Sequence, residues 1–123
     1  DFRAYVDAFN RADFDGFGRF YADDVVFELG SRKRIEGREN ILAFYRQVRA
    51  HLDEHIELRG VLIGARNVAM YCRTTFTTLV DWPDYEFGAT MKGDVREVET
   101  IAWYELDESG KRFTHIRGGR FKP

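Results

Sequence analysis

AYVDAFNRADFDGFGRFYADDVVFE, from Ala4 to Glu28, changes pattern three times within a short span. Phe2, Tyr5, Val6 and Phe9 recur at three- and four-residue spacing, which predicts one apolar stripe on a helix ending near Ala12. Asp13 is then a good N-cap for a second, shorter helix, with Phe14, Phe17, Phe20 and Tyr21 as its buried face. Gly16 and Gly18 weaken that helix intrinsically, so packing must hold it. Val25 to Leu29 is β-branched and aromatic, bounded by acids before it and by Gly30-Ser31 after it, and predicts a strand.

Working outward, a third helix follows Gly37. Ile41, Phe44, Tyr45, Val48 and Leu52 mark its inner face, and Glu39 sits in the first turn, where negative charge suits the helix dipole. From His55 the period switches towards two. Strands are expected over Ile56 to Ile63, Val68 to Val80, Val95 to Leu106 and Phe113 to Phe121. Tyr85 to Met91 fits either an edge strand or a loop, because Asp81-Trp82-Pro83-Asp84 interrupts the ladder just before it. The stretch from Asp81 to Gly93 is longer than a usual hairpin connection. With Trp82, Tyr85, Phe87 and Met91 it is expected to cap a cavity mouth or to pack on a partner subunit. Three helices, one early strand and a meander of long strands describe an α+β domain, expected to be a single unit over residues 1–123.

Composition narrows the function. The 123 residues include 11 Phe, 6 Tyr and 2 Trp, enough to build one real core. A net charge of -2 offers no basic footprint for nucleic acid. Cys72 stands alone and cannot close an internal disulfide, so a reducing, cytoplasmic setting is expected. No apolar run approaches a membrane span and no signal-peptide pattern is present, so no membrane association is expected. The helical pattern opens so close to Asp1 that residues preceding it are expected.

The order of elements and three strings resemble the nuclear transport factor 2-like superfamily, in its SnoaL-like and ketosteroid-isomerase-like branch. The strings are the stretch quoted above, GRENILAFY from Gly37 to Tyr45, and YELDESGKRFTHIR from Tyr104 to Arg117. The resemblance implies a cone-shaped, curved antiparallel sheet of the cystatin-like kind, closed by three helices around a small-ligand pocket. It also implies where functional groups fall. The tyrosine that donates to an oxyanion in ketosteroid isomerases matches Tyr5, and the tyrosine that supports it matches Tyr45. The general base of those enzymes falls at Leu29, and their protonated aspartate at about Ala102, so both acids are missing. Without a carboxylate to shuttle the proton, ketosteroid isomerase activity is not expected.

Strand alternation completes the candidate site. With Ala102 facing the pocket, Val98, Thr100, Tyr104 and Leu106 face it too, while Ile101 and Trp103 lie on the outer face beside carboxylates and suit a homodimer surface. The same alignment turns His115 and Arg117 inward on the last strand, and Tyr71, Arg73, Thr75 and Thr77 inward on the long middle strand; a one-residue bulge would invert either assignment. His115, Tyr5 and Tyr45 are therefore the candidate catalytic residues, and Phe9, Phe27, Leu29, Arg73, Thr75, Ala102, Tyr104 and Arg117 the candidate ligand contacts.

Each has a plainer explanation. His115 is as readily a hydrogen-bonded, half-buried histidine, and Arg73 and Arg117 are more readily partners of Glu28, Glu97 or Glu99. Glu28 itself is expected outside, and Cys72 is expected to be a small core residue. His51 and His55, spaced i, i+4 around Asp53 and Glu54, sit at a helix end and lack a zinc-binding pattern. Arg32-Lys33-Arg34 is a solvated turn near the pocket rim. No cofactor or metal is expected. The function implied is binding of a small hydrophobic or polar-aromatic ligand, with proton-transfer chemistry (isomerisation, dehydration or cyclisation) on a ring-containing or polyketide-like compound. A non-catalytic binding or dimerisation module of the same fold is the alternative.

Overall fold

The computed structural model describes the backbone of residues 1–122 and the side chains of residues 1–120. Helix α1 (Phe2–Asn10) buries Phe2, Tyr5, Val6 and Phe9. Ala12 adopts a left-handed φ of 56°, which turns the chain into α2 (Phe14–Gly18), where the Asp13 side chain caps by accepting from the Gly16 N–H. Strand β1 (Tyr21–Leu29) starts earlier than expected: Tyr21 belongs to it and not to the face of α2. A short strand that the sequence patterning does not reveal, β2 (Lys33–Glu36), pairs back on β1. Gly37, at φ 92°, makes the turn into α3 (Arg38–His51), a conformation that favours glycine.

Helix α3 runs without a linker into β3 (Leu52–Ile63), followed by β4 (Asn67–Thr78), β5 (Val95–Leu106) and β6 (Phe113–Lys122). The sheet order is β2-β1-β6-β5-β4-β3. All pairings are antiparallel except that of β1 with β6, so the expected antiparallel sheet is in fact mixed, and it is curved but not closed. This is the α+β arrangement expected, with the three helices on the concave face.

The core between helices and sheet is aromatic. Phe17, 1% exposed, is its keystone: its ring lies 5.2 Å from Phe9, 5.5 Å from Phe14, 5.9 Å from Tyr45 and 6.1 Å from Tyr21, mostly edge-on or tilted, the geometry that aromatic quadrupoles favour. These contacts explain how a five-residue helix with two glycines is held in place. Phe17→Ala is expected to cost about 3–5 kcal/mol in a urea unfolding experiment. Phe17→Leu, which keeps most of the volume, should cost less than half of that.

Candidate functional site

A cavity of about 290 Å³ opens between the helices and the concave face of the sheet, at the small end of the range for ligand pockets. Tyr5 and Phe9 reach it from α1, Phe44, Tyr45 and Val48 from α3, and Phe27 and Leu29 from β1. The far wall is Met70, Cys72, Thr74 and Phe76 from β4 and Val98, Thr100, Ala102 and Tyr104 from β5. Of the expected site residues, Tyr5, Tyr45, Phe9, Phe27, Leu29, Ala102 and Tyr104 are thus brought together around one space.

Four expected residues are not. Arg73 and Thr75 lie on the convex face, because Met70 is paired with Ala102 and the apolar set Val68, Met70, Cys72 turns inward with it. Burying that set and leaving the guanidinium to solvent is the cheaper choice. Arg73 instead lies 3.9 Å from Glu97. His115 and Arg117 are also on the convex face. The ladder between β5 and β6 passes from Leu106–Phe113 to Glu105–His115, leaving Thr114 as the extra residue of a bulge. Phe113 and Ile116 are both buried inward as a result, and the next inward positions are Gly118 and Arg120. Outside, His115 Nε2 is 2.5 Å from Glu28 Oε2, and Arg117 pairs with Glu105 and lies 3.7 Å from Glu28. The His115 hydrogen bond, with Arg34 and Arg117 nearby, holds the Glu28 carboxyl below the usual range.

The tyrosines also pair differently. Tyr5 Oη lies 2.9 Å from Tyr21 Oη, so the support expected from Tyr45 comes from Tyr21, which is 1% exposed. Either hydroxyl can be the donor in this pair, and Tyr104 also hydrogen-bonds to Tyr5, so the three hydroxyls form one chain beside the cavity. Burial, the largest cause in each case, pushes the hydroxyls of Tyr5, Tyr21, Tyr45 and Tyr104 well above the usual tyrosine range, so all four remain proton donors near neutral pH. Cys72 is a buried wall residue, its thiol pushed up by the same desolvation.

Glu54 is a cavity residue that lies just before the stretch where the two-residue period becomes plain in the sequence. Because β3 begins at Leu52, its inward series is Leu52, Glu54, Ile56, Leu58, and the Glu54 side chain becomes part of the cavity wall. The alternation is present in the sequence two residues before Ile56, where His51 to His55 also fits a helix end. Glu54 is the one carboxylate lining the cavity, and no hydrogen bond or ion pair engages it among the described residues. Burial raises its pKa to about 7, against the pull of Arg49, with a push from Asp53 and a weaker pull from Arg120.

Residues 81–93, expected to cap the cavity mouth or to pack on a partner subunit, form one wall of the cavity. Trp82 stacks between His51 (4.1 Å) and Tyr85 (4.0 Å) and bridges to Thr90. Tyr85 and Phe87 face the cavity. On the opposite rim, Lys33 Nζ is 2.7 Å from Glu86, Arg32 donates to the Glu86 carbonyl, and its guanidinium lies over Phe87.

Residues 2–115 match the SnoaL-like domain family. The chain belongs to that family. Solved structures with the same fold include a Pseudomonas putida KT2440 protein assigned as a polyketide cyclase (18% identity, TM-score 0.81, 95% of this chain and 86% of that one). A second, assigned likewise, is from Silicibacter sp. TM1040 (17% identity, TM-score 0.82, 97% and 85%). A third is an LEH-like epoxide hydrolase of Mycobacterium tuberculosis (17% identity, TM-score 0.77, 97% and 78%). No curated protein matches the chain by sequence. At these identities the structural likeness of the SnoaL-like domain to its neighbours speaks for fold alone, and its own residues must carry the chemistry.

The inward series on β4 and β5 yields a direct check. Ala102→Trp, projecting into the cavity, should weaken binding of 2-naphthol at least tenfold in a fluorescence titration. Thr75→Trp, on the convex face, should leave it within twofold.

Proposed function

We propose that this SnoaL-like domain catalyses proton transfer on an apolar, ring-containing or polyketide-like carbonyl compound, with Glu54 as the acid–base group. The observation that carries this reading is Glu54 itself: a carboxylate in a largely apolar cavity, engaged by no hydrogen bond or ion pair among the described residues, and poised by desolvation near neutral pH. A surface acid would show none of these features. His115, engaged with Glu28 on the convex face, does not enter the scheme.

In the proposed step, the Glu54 carboxylate takes a proton from the carbon next to the substrate carbonyl. The C–H electron pair moves into the carbon–carbon bond, and the oxygen gains the negative charge. Tyr5, supported by Tyr21, donates a hydrogen bond to that oxygen, and Tyr45 offers a second hydroxyl from α3. Protonated Glu54 then returns the proton to another carbon, completing an isomerisation, or to a departing hydroxyl, completing a dehydration. Attack of the enolate carbon on a second carbonyl of the same molecule would close a ring. The apolar walls keep water away from the enolate and strengthen the tyrosine contacts.

Exchange of the α-protons of 2-tetralone in D2O, followed by NMR, tests this reading. The rate per protein should exceed background and rise with pH through an apparent pKa near 7. Glu54→Gln should lower it at least a hundredfold, and Tyr5→Phe about tenfold or more. Saturable binding of 2-tetralone with no exchange above background would replace the enzyme with a binding module.

Stability gives a second readout of the same group. The folded chain holds the Glu54 proton more tightly than the unfolded chain does, so this residue lowers stability as pH rises from the ordinary carboxylate range through about 7. Glu54→Gln should match the parent at pH 4 and exceed it by roughly 3 kcal/mol at pH 8 in chemical unfolding.

On the convex face, Ile101 and Trp103 are 53% and 42% exposed, with Leu62 exposed in the row of Trp103. This supports pairing with a second copy of the chain. Trp103→Glu should convert a dimer to monomers in sedimentation velocity; an unchanged sedimentation coefficient would remove this surface from consideration.

A further inference from the structure

The bulge in β6 that takes Arg117 out of the cavity brings Arg120 in. Arg120 lines the main cavity and also an adjoining recess under the cap, where Phe76, Tyr85 and Phe87 are shared walls and Arg96 is a second cation. The two guanidiniums differ. Arg96 Nη2 donates to the Ala89 carbonyl at 2.6 Å and so helps to fix the cap. Arg120 makes no side-chain hydrogen bond or ion pair among the described residues. It is a solvent-accessible fork of unused donors beside Tyr85, Phe87 and Phe76, shaped for bidentate, charge-assisted hydrogen bonds to a planar anion.

The charge balance points the same way. Cavity and recess together present Arg32, Arg96 and Arg120 against one carboxylate, Glu54. The passage from Arg120 towards the tyrosines is also clear. Gly118, next inward along β6, has no side chain, and a Cβ there would lie 4.0 Å from Ala102, itself the smallest residue on the facing strand. A rigid apolar body therefore has room to lie along β6, with one end under the cap, near the row of Glu54 and Phe76, and the other between Tyr5 and Tyr104.

We propose that the ligand of this cavity is a carboxylate-bearing ring compound whose anionic group is held by Arg120 beneath the cap, with its ring running along β6 towards Tyr5 and Tyr104. This deepens the proton-transfer reading above, which supplies the reactive end of the same molecule. An anion at Arg120 fixes the long axis of the ligand, so that only one carbon next to its carbonyl is offered to Glu54. Bidentate capture by a guanidinium suits a planar carboxylate, and lysine at this position would be a poor substitute.

The test compares two matched probes, 1-naphthaleneacetate and its uncharged amide, by isothermal titration calorimetry on the whole chain. The parent protein should bind the acetate at least tenfold more tightly than the amide. Arg120→Gln should erase that preference while leaving amide affinity within twofold, and Arg120→Lys should restore only part of it. Arg32→Gln should leave the preference intact. Equal affinity of the parent for the two probes, or a preference that survives Arg120→Gln, overturns the assignment. Glu54→Gln should retain the preference, because binding does not require proton transfer. Loss of tetralone exchange in that variant with the acetate preference kept would therefore separate the fate of the catalytic reading from that of the anion site.

Discussion

The parallel pairing of β1 with β6 joins the two ends of the chain and shapes everything between them. Val26 faces His115 and Leu29 faces Gly118, while the Phe113 N–H donates to the Phe20 carbonyl at 2.6 Å and the Gly30 N–H to that of Gly118 at 2.7 Å. Contacts across so much sequence demand a large loop-closure cost before they return any stability. The aromatic cluster around Tyr5, Phe17 and Phe113 offsets that cost at the same place, since rings from α1, α2 and β6 meet there. Once the ends are joined, the curved sheet has a concave side too wide for the three helices to fill, and the unfilled part is the cavity.

That cavity is a demanding place for polar groups. Its walls desolvate whatever faces it, raising Glu54 to about 7 and holding the tyrosines in their neutral form. The cost falls on stability, and a structure shaped by stability alone would place an aliphatic residue at position 54. The convex face shows the opposite economy. There Glu28, Glu105, His115, Arg34 and Arg117 engage one another in solvent, where such pairs contribute little and cost little.

The sequence spoke most clearly where burial is strong and the pattern regular. Phe2, Tyr5, Val6 and Phe9 gave α1, and the two-residue period gave the long strands β3 to β6, because a whole stripe of apolar surface must face one way. The register of the site was less legible. Thr114 in the β6 bulge inverts the side chains from His115 to Arg120, and nothing in Phe113 to Arg117 marks which residue is the extra one. On β4 the choice of face depended on weighing Val68, Met70 and Cys72 against Tyr71, Arg73 and Thr75, and the apolar set decided it. Glu54 was obscured for a different reason: helix and strand adjoin without a loop, so no turn residue announces where the period changes.

The cap is held differently along its two edges. Toward β2 its hold is largely polar, through the ion pair of half-buried Lys33 with exposed Glu86 and the hydrogen bond from Arg32 to the Glu86 carbonyl. Toward α3 it is the face-to-face column of His51, Trp82 and Tyr85, backed by the backbone bridge of Trp82 to Thr90. Dissolved salt weakens the first kind of contact and barely touches the second. The two edges are thus written in different chemistries, and rising ionic strength loosens the edge at Glu86 before the aromatic column on α3.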